Sequence, residues 1–164
     1  MYIRVTFKLL INFMQRDIKQ TWFFEQSAEM VWKFLTDPDL LSQWLMKNDF
    51  KPEVGHKFMF TSKPLVNFGF DGNVYCQVLE VVPAKKLSYS WKGGPGKGKI
   101  TLDSVVTWTL VPKNNGTELQ LEHAGFKGMK NFMAYIAMGK GWSGKIRKRL
   151  GELLKEHAHA IPGH

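Results

Sequence analysis

The stretch GWSGKIRKRLGELLKEHA, residues 141–158, decides the fold. At about 100° per residue, one arc of this stretch carries the large apolar and aromatic side chains. Those side chains are Trp142, Ile146, Leu150, Leu153, Leu154 and His157. The opposite arc carries Lys148, Gly151, Glu152 and Lys155. The pattern predicts a long amphipathic helix whose apolar stripe must pack against another layer of structure.

That other layer is predicted to be an antiparallel sheet. Apolar residues alternate with polar or smaller ones at 56–60, 87–91, 106–110 and 119–123, as in half-buried strands, and 74–82 reads as a strand with two partly apolar faces. Short turns at 83–85 and 114–116 separate these segments, and Asn115-Gly116 is the strongest turn signal in the chain. The sheet is therefore expected to curve around the C-terminal helix.

Two short helices are predicted between a first strand, residues 17–25, and this meander. Ser27 is a typical N-cap, and the helix that follows it ends near Asp37-Pro38. Pro38 can open the second helix, because its fixed φ suits a first helical position. The predicted class is α+β, with about six strands wrapped around one long C-terminal helix.

Composition points to one cytoplasmic domain. A chain of 164 residues with 44% hydrophobic residues can bury a full core. No apolar run reaches the roughly 18 residues that a membrane span needs. The single Cys76 cannot form an intramolecular disulfide, which fits a reducing compartment. We expect an extension at 1–14, a domain at 15–158 and a tail at 159–164.

The formal net charge of +9 raises the possibility of a nucleic-acid partner. Lys and Arg are spread along the chain, however, and the one denser patch, residues 140–149, lies on the predicted helix without any nucleic-acid-reading motif. A solvated basic helix face explains it better. No nucleic-acid partner is therefore expected.

Motifs for cofactors, metals and catalysis are weak. The segment GGPGKGK, residues 93–99, has the spacing of a phosphate-binding loop, but Ile100 replaces the metal-holding Ser or Thr and a strand follows instead of a helix. His157 and His159 lack a third ligand. Cys76 reads as a core thiol, and His123 stands alone on a strand face without a second catalytic group. No cofactor, metal or catalytic set is predicted.

Several motifs together resemble a known family. They are WKFLTDP at 32–38 with Trp44, VLEVVP at 78–83, LSYSW at 87–91, VTWTL at 106–110, GTELQLEHAGF at 116–126 and GW at 141–142. In this order and spacing they resemble the homologues of the activator of the heat-shock-protein ATPase, the AHSA family of the START-like (SRPBCC) superfamily. The resemblance implies a helix-grip fold, usually with a cavity between sheet and helix. It also implies a possible co-chaperone-like role in stress response.

Three functions are compatible with these observations. The first is a non-enzymatic module that binds a hydrophobic, aromatic or lipid-like molecule, with the Tyr89 hydroxyl and His123 orienting the guest. The second is an interaction module that holds an acidic protein partner through the basic face. The third, a cyclase or hydrolase of the same superfamily, lacks a visible acid–base pair. A monomer and a homodimer both remain open.

The pocket of the first function is expected to use eleven residues. They are Trp44, Phe58, Phe60, Tyr89, Trp91, Trp108, Leu121, His123, Phe126, Trp142 and Ile146. The alternative is that these side chains simply fill the core. One departure from the family lies in KGMKNFMAYIAMGK, residues 127–140, which is apolar and basic where relatives often carry a short acidic stretch. Residues 1–14 fit no predicted element, and we expect them to be dispensable for stability.

Overall fold

The protein is described here by a computed structural model that covers residues 15–160, and its centre is a seven-stranded antiparallel sheet. The strands are β1 Gln15–Phe24, β2 Lys47–Asn48, β3 Lys57–Thr61, β4 Asn73–Val82, β5 Lys86–Gly93, β6 Leu102–Lys113 and β7 Gly116–Lys127. Their order is β1-β7-β6-β5-β4-β3-β2, so the first strand pairs with the last. The predicted curved sheet is confirmed. The seventh strand, β2, has only two residues and leaves no periodic signal.

Four α-helices accompany the sheet, namely α1 Ala28–Thr36, α2 Pro38–Trp44, α3 Phe132–Gly141 and α4 Arg147–Ala160. The predicted Ser27 cap is present, and Asp37 caps the helix that Pro38 was expected to open. Ser27 Oγ accepts a hydrogen bond from the Met30 amide at 3.3 Å, and Asp37 Oδ1 accepts from the Asp39 amide at 2.9 Å. These bonds satisfy amides that a helix start leaves unpaired, which is why both short helices begin where the sequence indicates.

The C-terminal helix starts earlier than the sequence predicts. Helix α3 runs into a π-helical segment, Trp142–Ile146, which leads into α4, and Gly144 departs from helical geometry with φ −95° and ψ −107°. The apolar stripe predicted at 141–158 therefore covers only the second half of this helical region, namely the π segment and α4. Helix α3 was missed because its sequence, FMAYIAMGKG, is apolar on every side and shows no face. It buries no residue completely.

Short turns and several longer loops join the strands. Asn114 and Asn115 have φ of 51° and 60°, as a two-residue hairpin turn requires, and Gly116 already belongs to β7. A Cβ on Gly116 would collide with the Phe24 carbonyl, so only a glycine at this position lets β1 approach β7 so closely. The stretch at 94–101 connects β5 to β6 as a hairpin, closed by the Thr101 amide on the Gly93 carbonyl at 2.9 Å. The predicted hairpin is confirmed.

The core lies between the sheet and the helices. Side chains alternate between buried and exposed along β6 and β7, and Leu150, Leu153 and Leu154 of α4 are buried, as their stripe predicts. Among residues 15–160, no helix is long and apolar enough to cross a membrane. The proposed extension at 1–14 and the last four residues lie outside the described part of the chain. Helix α4 itself continues to Ala160.

Gly125 generates a prediction about the sheet. It lies in β7 at φ +110°, close to a register shift in β1, and an added Cβ would come within 3.1 Å of the Asp103 carbonyl. Gly128 also has a positive φ, +71°, but open space surrounds its Cβ position. Both Gly→Ala changes should cost about 1–2 kcal/mol for the backbone conformation.

Gly125→Ala should cost about 1–3 kcal/mol more, because the strand backbone must move. Urea unfolding of both variants and the parent chain gives the comparison. Equal losses for Gly125→Ala and Gly128→Ala would show that the contact with β6 does not matter.

Candidate functional site

The structure brings ten of the eleven predicted site residues into the buried core, and Ile146 packs against that core partly buried. Nine of them form what we call the aromatic cluster: Trp44, Phe58, Phe60, Tyr89, Trp91, Trp108, His123, Phe126 and Trp142. Neighbouring ring centroids in the cluster lie 4.7–6.1 Å apart. Leu121 faces Trp108 across the β6–β7 pair. A ligand-binding role for these residues stays a prediction.

Strand register assembles the centre of this cluster. Trp91 of β5 pairs with Ser104 of β6, and Val106, two residues on, pairs with His123 of β7. Since side chains alternate between faces, these residues point to the same concave side. Trp142 reaches them from the helix layer, at the first residue of the π segment. Single π turns inside helices are frequent at functional sites, because they re-aim one side chain.

A chain of hydrogen bonds runs through the centre. Trp142 Nε1 donates to His123 Nδ1 at 3.2 Å, His123 Nε2 lies 2.7 Å from Ser104 Oγ, and Ser104 Oγ donates to the Trp91 carbonyl at 2.8 Å. An indole nitrogen can only donate, so Nδ1 must be an acceptor. The Ser104 proton goes to Trp91, and Nε2 therefore carries the imidazole proton and donates to Ser104. His123 is held as one neutral tautomer.

Burial decides the charge of His123. Removal from water lowers the pKa of this imidazole to about 3, because the charged form loses its hydration. Protonation would also place a hydrogen on Nδ1, against the Trp142 N–H. His123 is consequently neutral near pH 7 and does not change its charge near that pH.

The other buried ionisable groups are also held neutral. Trp108 Nε1 donates to the Tyr89 hydroxyl at 3.0 Å, and burial raises the pKa of Tyr89. Burial raises the pKa of the Cys76 thiol as well, and the charge of Asp49 adds to the effect. A protonated thiol is a poor nucleophile, so Cys76 acts as a core residue, as predicted.

A groove of about 460 Å³ lies beside the cluster, between the start of β1 and helix α3. Its lining residues are Asp17, Ile18, Lys19, Gln20, Tyr135, Ile136, Gly139, Lys140 and Ser143. Gln20 fixes the spacing of the two walls, since its side-chain amide donates to the Gly139 carbonyl at 3.0 Å. None of the nine residues was predicted from the sequence, because α3 shows no amphipathic face and nothing in β1 indicates that it lies beside this helix. The apolar and basic stretch 127–140 was the one feature of the sequence that could have pointed to these residues.

Aromatic contacts join the groove to the cluster. Tyr135 of the groove lies 5.7 Å from Phe126, ring centroid to ring centroid, and Phe126 lies 4.7 Å from the His123 ring. Ile18 contributes to the groove and is also part of the core. On the outer side, the Arg16 guanidinium lies 5.8 Å from the Tyr135 ring centroid. One line of rings therefore leads from the protein surface to Trp142.

Comparison with protein families decides the identity. The family described as activator of Hsp90 ATPase homolog 1-like protein matches residues 15–155. The chain belongs to this family. The match covers the whole sheet and runs into α4, and it confirms the resemblance inferred from the sequence motifs. A comparison with curated proteins found no match.

Solved structures of similar proteins share the fold. Protein MLL2253 from Mesorhizobium loti is 37% identical with a TM-score of 0.76, and the alignment covers 86% of this chain and 98% of that one. Protein BH1534 from Bacillus halodurans is 29% identical with a TM-score of 0.67, covering 86% and 99%. CalU16 from Micromonospora echinospora is 23% identical with a TM-score of 0.62, covering 89% and 90%, and shows the fold alone.

Within the described residues of this family member, no three His, Cys, Asp or Glu side chains come together as a set that could hold a metal ion. Both ring nitrogens of His123 in the aromatic cluster and the hydroxyl of the neighbouring Ser104 already have hydrogen-bond partners. The groove, by contrast, mixes apolar residues such as Ile18 and Ile136 with the charged residues Asp17, Lys19 and Lys140. The arrangement suits non-covalent recognition.

The buried imidazole predicts a pH dependence of stability. The folded-state pKa of His123, about 3, lies below its ordinary value of 6.5, so between these values the unfolded chain binds a proton that the folded chain does not. Stability should therefore fall as the pH drops from about 6.5 towards 3, by up to about 1.4 kcal/mol per pH unit from this residue.

His123→Gln keeps one donor and one acceptor but does not titrate. Urea unfolding of both proteins at several pH values between about 7 and 4 isolates the effect, since all other groups are shared. The wild type should lose stability more steeply than the variant. Parallel curves would mean that His123 is not held neutral by the fold.

Proposed function

We propose that residues 15–158 form a START-like module of a cytoplasmic protein that binds a hydrophobic, aromatic or lipid-like small molecule without transforming it. The observation that carries this proposal is the groove between β1 and α3 with the aromatic cluster directly behind it. Its volume of about 460 Å³ lies within the roughly 300–1,000 Å³ of typical small-molecule sites. Ile18, Tyr135 and Ile136 give the groove apolar surface, and the charged and polar residues beside them can orient a guest.

Helix α3 is the element most able to admit a guest. It contributes no fully buried residue, and its partly buried Ala134, Tyr135 and Met138 hold it to the core. Elements with few buried apolar contacts open at low free-energy cost. A guest that displaces the Tyr135 ring would reach Phe126 and then the indoles of Trp91 and Trp142. In this way the predicted pocket residues become ligand contacts.

The polar groups of the aromatic cluster and the groove indicate which chemical groups a guest would carry. Tyr89 accepts a hydrogen bond from Trp108, and within the described part of the chain its own proton has no acceptor, so it can donate to a carbonyl or hydroxyl oxygen. Both ring nitrogens of His123 are already bonded, so this residue acts by holding Trp142 in place. Lys19 and Lys140 of the groove suit an acidic group. The guest therefore has an apolar body and an oxygen-rich or anionic end.

The perturbed pKa values favour binding over catalysis. A general acid or base works best with a pKa near the operating pH. Burial moves the pKa of His123 down to about 3 and raises those of Tyr89 and Cys76, so all three move away from neutrality. This supports the module over a cyclase or hydrolase.

A second candidate is an interaction module for an acidic protein. Lys145, Arg147, Lys148 and Arg149 are all exposed around the junction of the π segment and α4. Glu152 is the carboxylate near them, 4.0 Å from the Lys148 amine and 3.8 Å from the Arg149 guanidinium. One shared carboxylate leaves this surface strongly positive, and it favours an acidic partner.

Filling the groove should abolish guest binding. An added Cβ at Gly139 would have only the Ile18 side chain nearby, at 4.0 Å, so Gly139→Leu projects into open groove space. The variant should bind an apolar fluorescent dye at least about tenfold more weakly, a change of about 1.4 kcal/mol. Its melting temperature should not fall, because a helical glycine is replaced.

Ala137→Leu is the matched control, since Ala137 lies on the exposed side of the same helix. It adds a similar side chain outside the groove and should leave dye binding unchanged. Native mass spectrometry of freshly purified protein would reveal a co-purified guest directly. Equal dye affinity in both variants, or no binding by the wild type, would refute the groove as the site.

The acidic-partner alternative has its own test. Arg147→Gln/Lys148→Gln should elute from immobilised poly-glutamate at lower salt than the wild type, because exposed charge pairs are screened by ions. Lys51→Gln/Lys85→Gln removes the same charge from other exposed positions and serves as the control. The same shift in both double variants would mean that net charge, rather than the basic face of the helix, binds the acidic ligand.

A further inference from the structure

Three connections leave the sheet at the same end. Because β3 to β7 alternate in direction, the β3–β4 loop, the β5–β6 loop and the β7–α3 connection all leave the sheet at the same end. The start of β1 lies there too, since Gln15 pairs with Lys127. The opposite end has tight turns between β4 and β5 and between β6 and β7, together with the β2–β3 connection and the link from β1 to α1. We call the first of these the loop end.

Large apolar side chains project into solvent at the loop end. They are Leu65, Val66 and Phe68 of the β3–β4 loop, Ile100 of the β5–β6 loop, and Met129 and Met133 at the start of α3. Val66 is 82% exposed, Phe68 69% and Met129 80%. Monomeric proteins rarely expose several large apolar residues together unless the surface binds something.

The first two loops form one surface. The Asp71 amide donates to the Gly94 carbonyl at 2.9 Å, and the Cβ position of Gly96 lies 3.4 Å from the Asp71 side chain. The Phe70 ring also packs 3.7 Å from the Cβ position of Gly93. The tip of the β3–β4 loop and the glycine-rich β5–β6 loop are thus held side by side.

Positive charge surrounds these apolar side chains. The connections of the loop end, with the last residue of β7, contain Lys63, Lys97, Lys99, Lys127 and Lys130, and one carboxylate, Asp71. Asp71 Oδ1 is occupied by the Asn73 amide at 2.9 Å. No ion pair among the described residues involves these five lysines. The loop end is therefore apolar at its tips and basic around them.

Several backbone groups of the β3–β4 loop are hydrogen-bonded within the loop, which suits an apolar environment. The Leu65 amide donates to the Phe70 carbonyl at 2.8 Å, and the Phe68 amide donates to the Leu65 carbonyl at 2.9 Å. The Gly69 amide donates to the Val66 carbonyl at 3.1 Å. Internal pairing of this kind lowers the cost of moving backbone out of water.

We propose that the loop end docks on an anionic lipid membrane, with Val66 and Phe68 entering the headgroup boundary and the lysines contacting lipid phosphates. Protruding side chains on a turn fit a fluid layer, whereas a protein partner would need a complementary pocket. Basic residues around exposed apolar ones are the usual composition of membrane-surface segments. This docking is independent of the groove, since a protein with a blocked groove keeps the same loops.

Co-sedimentation with vesicles tests the proposal. Vesicles of phosphatidylcholine and phosphatidylserine, roughly three to one, supply the anionic surface, and pure phosphatidylcholine vesicles supply the neutral one. The wild type should bind the anionic vesicles and lose that binding as salt rises. Val66→Ser/Phe68→Ser should bind at least about tenfold more weakly, because two exposed apolar side chains no longer enter the lipid.

A second variant separates charge from apolar contact. Lys97→Gln/Lys99→Gln should lose about fivefold in affinity per lysine, on anionic vesicles only. Val82→Ser/Lys85→Gln changes the same residue types at the opposite end and should behave as the wild type. The Gly139→Leu protein should also still bind vesicles, which distinguishes this proposal from the groove.

Three outcomes would overturn membrane docking. The first is that the wild type does not bind anionic vesicles. The second is that the opposite-end variant loses as much affinity as the loop-end variants. The third is binding to poly-glutamate that depends on Lys97 and Lys99, with no vesicle binding, which would assign the loop end to an acidic protein instead.

Discussion

The hydrogen bond from Trp142 to His123 is the constraint on which the rest of the structure depends. It joins the helix layer to β7, and it continues through Ser104 to the backbone of β5. A buried polar group without a partner costs several kcal/mol in an apolar core, so all four groups must meet together. A slip of one residue in the pairing of β6 with β7 would turn His123 to the outer face. The bond therefore selects one register and one position of the π segment.

This arrangement also separates the stable part of the site from the adaptable part. Trp91, His123 and Trp142 are buried, and hydrogen bonds link Trp142 to His123 and, through Ser104, His123 to the Trp91 carbonyl. Helix α3, by contrast, contributes no fully buried side chain. A guest enters at lowest cost where the contacts are weakest. This adaptable part coincides with residues 127–140, the stretch whose apolar and basic sequence departs from the pattern expected of the family.

Local signals in the sequence predicted most of the fold and the composition of the cluster. Strand alternation placed Tyr89, Trp91 and His123 on the inner face, and Ser27 and Pro38 marked the helix starts. Ser104 was missed because its role depends on its cross-strand partner, Trp91, which only the sheet register reveals. The groove was missed for a related reason. Helix α3 is apolar all around, so no periodicity showed which side faces β1, and a surface formed by two distant segments leaves no mark in either one.

The two ends of the sheet show how these parts fit together. At one end lie tight turns such as Asn114-Asn115, whose positive φ angles restrict the residue types that fit. At the other end lie the exposed loops, the start of α3 and the first residues of β1, and Asp17 to Gln20 of that strand also line the groove. A lipid-like guest leaving a membrane docked at the loop end would meet the groove before it crossed open water. The apolar tips, the lysines and the groove would then form one path, from lipid surface to Tyr135 and the indoles behind it.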